Sequence, residues 1–512
     1  MRIATWAACF ARLAALAVAA LQPACDARAP APADELASEL RRLYAPPSGP
    51  EARWRRPRPV KLPDGREVPR ESAYRDAASF VAAAERLLAS GERDDAAFGA
   101  WLLGTLPEAR RSAAEPALVG ALAHADPSAA FEAALALAAS GSPAALPGLE
   151  RAASGASSAE VRTAARWAAA EIARRGSGRS VESEARGVRP IARGPADGAL
   201  APGFRRGVSW WSEDQPDHGA ASFRLLASLG VTWVSIHTWD PLQRGLDDPV
   251  LAPRGGFLQG FPNLAALVSA AHAAGLSVMV KPHLEMRGFD APDHNRIAMR
   301  SPGDWARWFE GYTSYVLPYA REAQAAGADL FCVGRELDAT VTAREADWRR
   351  LIAKIRREFK GPLTYSSNFD TFPRIGFWDA LDFIGVSAYY PLAEEPAPQL
   401  AALEAGWERA LGPLDAAARR WRRPVLLTEA GFPAVASAAR APWREERTTA
   451  DVWLQARCYE ATLRALSRHP SVEGVFFWLW ERTSQPPFRD PSHAILGKPA
   501  SFTMARYYAP RE

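Results

Sequence analysis

Two glutamates stand where a globular chain rarely leaves a carboxylate. Glu336 follows the apolar run of "DLFCVGREL" (329–337), and Glu429 follows that of "RRPVLLTEAGFP" (422–433). A carboxylate at the end of a buried strand costs free energy unless something pairs with it. One explanation is a buried ion pair, with Arg335 or Arg482 as the partner of Glu429. The other is chemical. A carboxyl that holds a proton, facing one that stays ionised, is the minimal equipment for cleaving a glycosidic bond.

Other strand ends behave in the same way. Short β-branched or aromatic runs recur at 205–211, 231–240, 277–285, 329–337, 362–370, 383–392, 424–432 and 474–481. Between most of them lie stretches with helical periodicity, such as "NLAALVSAAHAAG" and "EADWRRLIAKIRREF". Strands alternating with helices over 204–512 predict an α/β fold, a TIM (β/α)8 barrel. A doubly wound open sheet is the alternative, but it would carry a Gly-rich phosphate loop after its first strand, and "VSWWSEDQPDHG" is no such loop. Each run begins apolar and ends polar, at Asp240, His283 and Glu285, Glu336, Asn368 and Asp370, Tyr389, Glu429, and Trp480 and Glu481. In a barrel these ends open on one face, which gathers carboxylates, amides and aromatics at one mouth. The fourth and seventh strands lie three apart around the ring, so Glu336 and Glu429 can face each other. Trp210, Trp211, Trp239, Trp478 and Trp480 would then stand at the rim as flat platforms for sugar rings, although core packing is the ordinary fate of a lone tryptophan.

Two rival readings use the same residues. His237, Asp240, His283 and Glu285, on the second and third strands, have the ligand types for zinc in a metal-dependent barrel hydrolase. Against this, the first strand has no His-x-His pair and no ligands recur later apart from the two glutamates. The second rival is a catalytically silent barrel that only binds carbohydrate, and it has no need of both acids. Neither a metal nor a cofactor is expected.

The chain has 512 residues, more than one core can use, and so predicts several domains. Residues 71–176 are rich in Ala and Leu. Two of their segments look like copies of one helix-turn-helix unit, with Phe131 and Val161 at matching places. HEAT-like repeats follow, with a plain bundle as the alternative, and they are a candidate docking site for a protein partner. Residues 30–70 and 177–203 read as linkers. Residues 1–29 have the basic start, apolar centre and small residues of an export leader. Cys25 is a candidate lipid-anchor site, cleavage near Ala29 is the alternative, and the apolar run is too short to span a bilayer. The expected location is therefore periplasmic, secreted or an outer-envelope lipoprotein. Cys332 and Cys458 fall in a predicted strand and helix and should be buried thiols. A net charge of +4, carried by scattered arginines, argues against nucleic acid.

The blocks "VMVKPHLEMR", "WFEGYTSYVLPYAREAQAAGADLFCVGREL", "KGPLTYSSNFD" with "FWDALDFIGVSAYYPL", and "RPVLLTEAGF" resemble glycoside hydrolase family 113, from about Gly207 to Lys498. The resemblance implies a TIM-barrel retaining β-mannanase acting on a polysaccharide or oligosaccharide. Glu336 would be its acid/base and Glu429 its nucleophile. Tyr389 would hydrogen-bond Glu429. Lys281 and His283 would line the sugar-binding floor, and Asn368 would touch a substrate hydroxyl. Trp478 or Trp480 would stack under the sugar at the cleavage point, with Trp211 and Trp239 as further binding residues. Many members of the wider clan place Asn before the acid/base, against the sugar 2-hydroxyl. Here that position is Arg335, which cannot accept a hydrogen bond. The sugar, the linkage and the choice between internal and end cleavage stay open.

Overall fold

The structure, a computed structural model, describes residues 37, 60–61, 67–68, 77–92, 94–104, 106, 111–176, 199–211, 216–252, 264–286, 293–446, 448–481 and 486–508. The expected export leader with Cys25, most of the first expected linker and residues 177–198 of the second lie outside the described residues.

The Ala-rich region forms six helices: α1 (Ala77–Leu88), α2 (Asp95–Gly104), α3 (Arg111–Ala121), α4 (Pro127–Ser140), α5 (Leu146–Gly155) and α6 (Ala159–Gly176). α4 packs against α2, α3 and α6, while α5 packs against α6. Small side chains allow close approach: a Cβ added at Gly104 would lie 2.7 Å from that of Ala136. α4 begins where Asp126 caps the peptide N–H of Ser128 and Pro127 occupies the first turn. It also buries Glu132, which is only 2% exposed.

Eight strands close the barrel: β1 (Arg205–Trp210), β2 (Trp233–Gln243), β3 (Ser277–Met286), β4 (Leu330–Arg335), β5 (Leu363–Asn368), β6 (Ile384–Ser387), β7 (Val425–Ala430) and β8 (Val472–Trp480). Each pairs in parallel with its neighbours, and β8–β1 and β1–β2 complete the ring. Residues 251–252 add a short antiparallel pairing to the end of β2. The surrounding helices are α7 (Pro216–Ser228), α8 (Leu264–Ala273), α9 (Pro302–Ala326), α10 (Asp338–Ala343), α11 (Glu345–Glu358), α12 (Leu400–Trp421), α13 (Val452–Leu466) and α14 (Pro499–Tyr508). Between β5 and β6 stand only the 3-10 turns Phe372–Arg374 and Trp378–Ala380. Pro373 and Gly376 break any longer helix there.

The barrel interior changes character along its axis. Met279, Leu330, Cys332, Phe383, Leu426 and Phe476, from opposite sides of the ring, make one apolar cluster. Beyond it Ser366 meets Thr428 at 2.7 Å and Ser387 at 3.0 Å, hydroxyl to hydroxyl. Cys332 and Cys458 are buried free thiols, as expected.

The helical region rests against α13, α14 and the loop after β8. Glu160 accepts hydrogen bonds from Thr503 (3.0 Å) and Arg506 (2.7 Å). The rings of Phe131 and Trp167 meet Phe502 edge-on at 5.2 and 5.7 Å. Trp453 donates to Ser128 at 2.9 Å, and the Arg489 guanidinium lies 4.4 Å from the centre of the Phe98 ring.

Burial pushes the Glu132 carboxyl well above the usual carboxylate range. A folded-state pKa above the unfolded one leaves stability intact in acid and erodes it as pH rises. Glu132→Gln should therefore raise the melting temperature by roughly 2–8 °C near pH 8 and change it little near pH 4. Thermal scans at the two pH values check this.

Candidate active site

The strands that carry the two acids both lose regular register just before them. β4 slips against β5 between Cys332 and Arg335, and β7 slips against β6 between Leu427 and Glu429. Such irregularities re-aim side chains at the rim of a barrel. Glu336, the first residue beyond β4, has φ of 50°, a left-handed conformation uncommon outside glycine. Neighbouring contacts hold it there: its own N–H donates to the Ser366 carbonyl at 2.7 Å, and the next N–H donates to the Tyr365 hydroxyl at 2.7 Å.

The Glu429 carboxylate is fully buried. Its Oε1 accepts from Lys281 Nζ at 2.6 Å and Arg335 Nε at 2.8 Å, and its Oε2 accepts from the Tyr389 hydroxyl at 2.9 Å. Lys281 also donates to the Thr428 carbonyl at 3.1 Å. Arg335 reaches the other acid as well, with Nη2 lying 3.0 Å from Glu336 Oε2. His294 Nε2 is 2.8 Å from that same oxygen. One guanidinium thus serves both carboxylates. Beneath them His237 Nδ1 and His283 Nε2 are 2.9 Å apart. The Trp478 ring lies nearly parallel to His283, with centroids 6.1 Å apart and 10° between the planes.

Burial alone would lift the pKa of Glu429, but the adjoining charges of Arg335 and Lys281 outweigh it and hold the carboxyl well below its usual range. Glu336 is lowered for a similar reason: burial acts upward, while Arg335 and the His294 hydrogen bond act downward more strongly. His237 and His283 are pushed well down, by burial first and then by neighbouring cations, which keeps them neutral. Burial and the Glu429 charge push the Tyr389 phenol well up, so it remains a donor. Asp338 is raised to about 6, chiefly by burial, even though Asn368 donates to it at 2.6 Å.

The sequence model for Glycoside Hydrolase Family 113 matches residues 206–495, more than half of the chain. The chain belongs to glycoside hydrolase family 113. HEAT repeats match residues 82–170. The β-mannanase AaManA of Alicyclobacillus acidocaldarius, solved in complex with ManMIm, is 30% identical with a TM-score of 0.53, covering 60% of this chain and 98% of that one. A complex of a family 113 β-1,4-mannanase is 25% identical with a TM-score of 0.53, covering 60% of this chain and 99% of that one. No curated protein matches the chain significantly.

This family 113 barrel brings Glu336, Glu429, Tyr389, Lys281, His283 and Trp478 together, with the expected Tyr389–Glu429 hydrogen bond in place. Lys281 and His283 do not line an open floor. Both are fully buried, because each sits under the acids as a hydrogen-bonding or packing partner. Trp480 is likewise packed into the core at 2% exposure, whereas Trp478 and Trp211 are half-buried. The Asn368 amide is engaged by Asp338. The side chains of Trp239, Asp240 and Glu285 lie outside the described residues. His237 and His283 spend facing nitrogens on each other, which is not how two zinc ligands point. Sequence reasoning passed over His294 and Asp338. His294 sits in a 3-10 turn (Asp293–Arg296) with no periodicity to mark it, while Asp338 is two residues past Glu336, close enough for its type alone to have drawn notice.

Removing Lys281 would leave the buried Glu429 charge short of a cation. Lys281→Met should destabilise the barrel by about 3 kcal/mol or more, read as a shift in the denaturant midpoint at neutral pH.

Proposed function

We propose that this family 113 glycoside hydrolase is a retaining enzyme that cleaves β-1,4-linked mannan or a close relative. The observation that carries the mechanism is the sharing of Arg335 by Glu336 and Glu429. Acids that meet adjacent nitrogens of one guanidinium are close neighbours, as direct attack by a carboxylate requires, rather than spaced for an intervening water. Glu429, held ionised, attacks the anomeric carbon, and the bond to the leaving oxygen breaks as Glu336 delivers a proton to that oxygen. Water then enters, Glu336 takes its proton, and the hydroxyl displaces Glu429 with net retention. Tyr389 and Lys281 fix the carboxylate and ease its departure in the second step. The mannan assignment is supported by the likeness to β-mannanases at 25–30% identity.

In the free enzyme Glu336 carries its charge, since Arg335 and His294 both stabilise it. It becomes an acid when the substrate takes over one of these donors. Arg335 is the natural one to yield, with its side chain 17% exposed against 10% for His294. A sugar hydroxyl that accepts from the guanidinium weakens its hold on Glu336, and the acid's pKa rises. A polymer of this kind is met outside the cell, which fits the export leader expected over residues 1–29; fractionation of the producing cell tests that location.

Glu429→Ala should abolish hydrolysis, with kcat falling by at least about 10³-fold, while oligosaccharide binding persists. Full activity in this variant, or an inverted anomer as the first product of the wild type seen by NMR, sinks the mechanism. Arg335→Met removes a cation from both acids and should raise their pKa values, which moves both limbs of the kcat/KM profile to higher pH. Limbs that stay in place would show that Arg335 does not control protonation.

A further inference from the structure

We propose that His493 is a positioning residue for the reaction: it clasps the connection after β8 to the one after β7 and holds Tyr389 in donating contact with Glu429. This role rests on the glycosidase reading above and adds to it a side chain outside the catalytic group.

Three successive parts of the barrel's catalytic end meet on this one ring. Tyr389, just past the end of β6, gives its hydroxyl to Glu429 Oε2 at 2.9 Å. The His493 and Tyr389 rings meet edge-on, with centroids 6.1 Å apart and 82° between planes. From the connection after β7, Glu445 Oε1 lies 3.0 Å from the His493 Nδ1 and the Pro442 carbonyl oxygen 2.7 Å from its Nε2. A carboxylate and a carbonyl can only accept. Both bonds together therefore require two N–H groups, which makes the ring an imidazolium against the Glu445 charge. Charge-assisted bonds of this kind are stronger than neutral ones, and the ring that makes them is only 6% exposed.

A clasp holds only if its own backbone is fixed, and this one is anchored along its length. The turn Pro487–Arg489 leads into it and leans on the helical region. There the Phe98 ring lies 6.4 Å from the Phe488 ring and 4.4 Å from the Arg489 guanidinium. Asp490 then accepts from the Ser492 N–H at 3.0 Å and takes the buried Lys498 Nζ at 3.2 Å. Lys498 also donates to the Ser492 carbonyl at 2.9 Å, and the His493 carbonyl accepts from the Leu479 N–H of β8 at 3.4 Å. His493 is thus a fixed post, and the Tyr389 ring rests against it. A tyrosine ring that swings away lengthens the bond from its hydroxyl. Glu429 then loses a donor that favours its charged form, both before it attacks and as it departs.

The test compares the full-length wild type with His493→Ala, Tyr389→Phe and the double variant on a β-1,4-manno-oligosaccharide. His493→Ala should lower kcat roughly tenfold without raising KM, but only about twofold or less in the Tyr389→Phe background. A wild-type kcat in His493→Ala, or the same fold loss in both backgrounds, overturns the positioning role. Glu445 is 29% exposed, so its substitutions should fold even where His493→Ala does not. Glu445→Ala should lose kcat in the same way to a smaller degree, and Glu445→Gln, which keeps an acceptor for Nδ1, should restore it. Equal kcat in Glu445→Ala and the wild type counts against the clasp. Hydrogen exchange read by mass spectrometry separates this role from the catalytic reading. Where the wild type hydrolyses nothing, the glycosidase reading falls and the peptide 386–392 decides. Faster exchange there in Glu445→Ala than in Glu445→Gln and the wild type upholds the hold on Tyr389; equal exchange in all three overturns it.

Discussion

Two carboxylates on one guanidinium set the terms for the whole catalytic end of the barrel. Neither acid could stay charged at that depth alone, since an unpaired buried ion costs several kcal/mol. Arg335 meets both at once, which a lysine cannot do with a point charge on a flexible stem. Lys281 adds a second cation under Glu429 alone. The difference in their surroundings separates the acids: Glu429 has three donors, all from inside the barrel, whereas Glu336 leans on Arg335 and on His294 from an outer loop. Neutral His237 and His283 fill the space below without adding charge. Glu429 thus sits fully buried among its donors and Glu336 nearer the solvent, in keeping with the nucleophile and acid/base roles proposed for them.

The rest of the barrel grades the environment towards these charges. A methionine, leucine, cysteine and phenylalanine layer closes the far part of the interior, the hydroxyls of Ser366, Ser387 and Thr428 form the next, and the ions come after. Apolar side chains at those hydroxyl positions would bring hydrocarbon directly under the carboxylates and raise the cost of their charge. The register shifts in β4 and β7 complete the placement, because a regular two-residue alternation would aim these strand ends differently.

The strands, their polar ends and the glutamate pair were legible in the chain because each was an anomaly in one dimension: a charged group at the end of an oily run. The Tyr389–Glu429 contact was implied by the family resemblance, and adjacent strand ends in a closed ring allow it. Depth was not legible. Alternation along β3 tells which face Lys281 and His283 occupy, but not that their neighbours would seal both from solvent. His294 was missed because it lies in a connection, where no period links residue type to position. Arg335 stood out as a departure from the clan's asparagine, yet its reach to both acids depends on a backbone irregularity that no pattern of residue types announces.

The docking of the helical region on α13, α14 and the loop after β8 joins parts of the chain that are far apart in sequence. Glu160 meets Thr503 and Arg506 across separations of 343 and 346 residues. A ribosome delivers the repeats long before it delivers the surface they rest on. Until α14 emerges, Phe131, Trp167 and Glu160 must wait uncovered, two of them sticky and one charged. Emergence of α14 is therefore also a step in the maturation of the helical region, and a chain cut short before α14 would lose the cover of a domain that ended more than three hundred residues earlier.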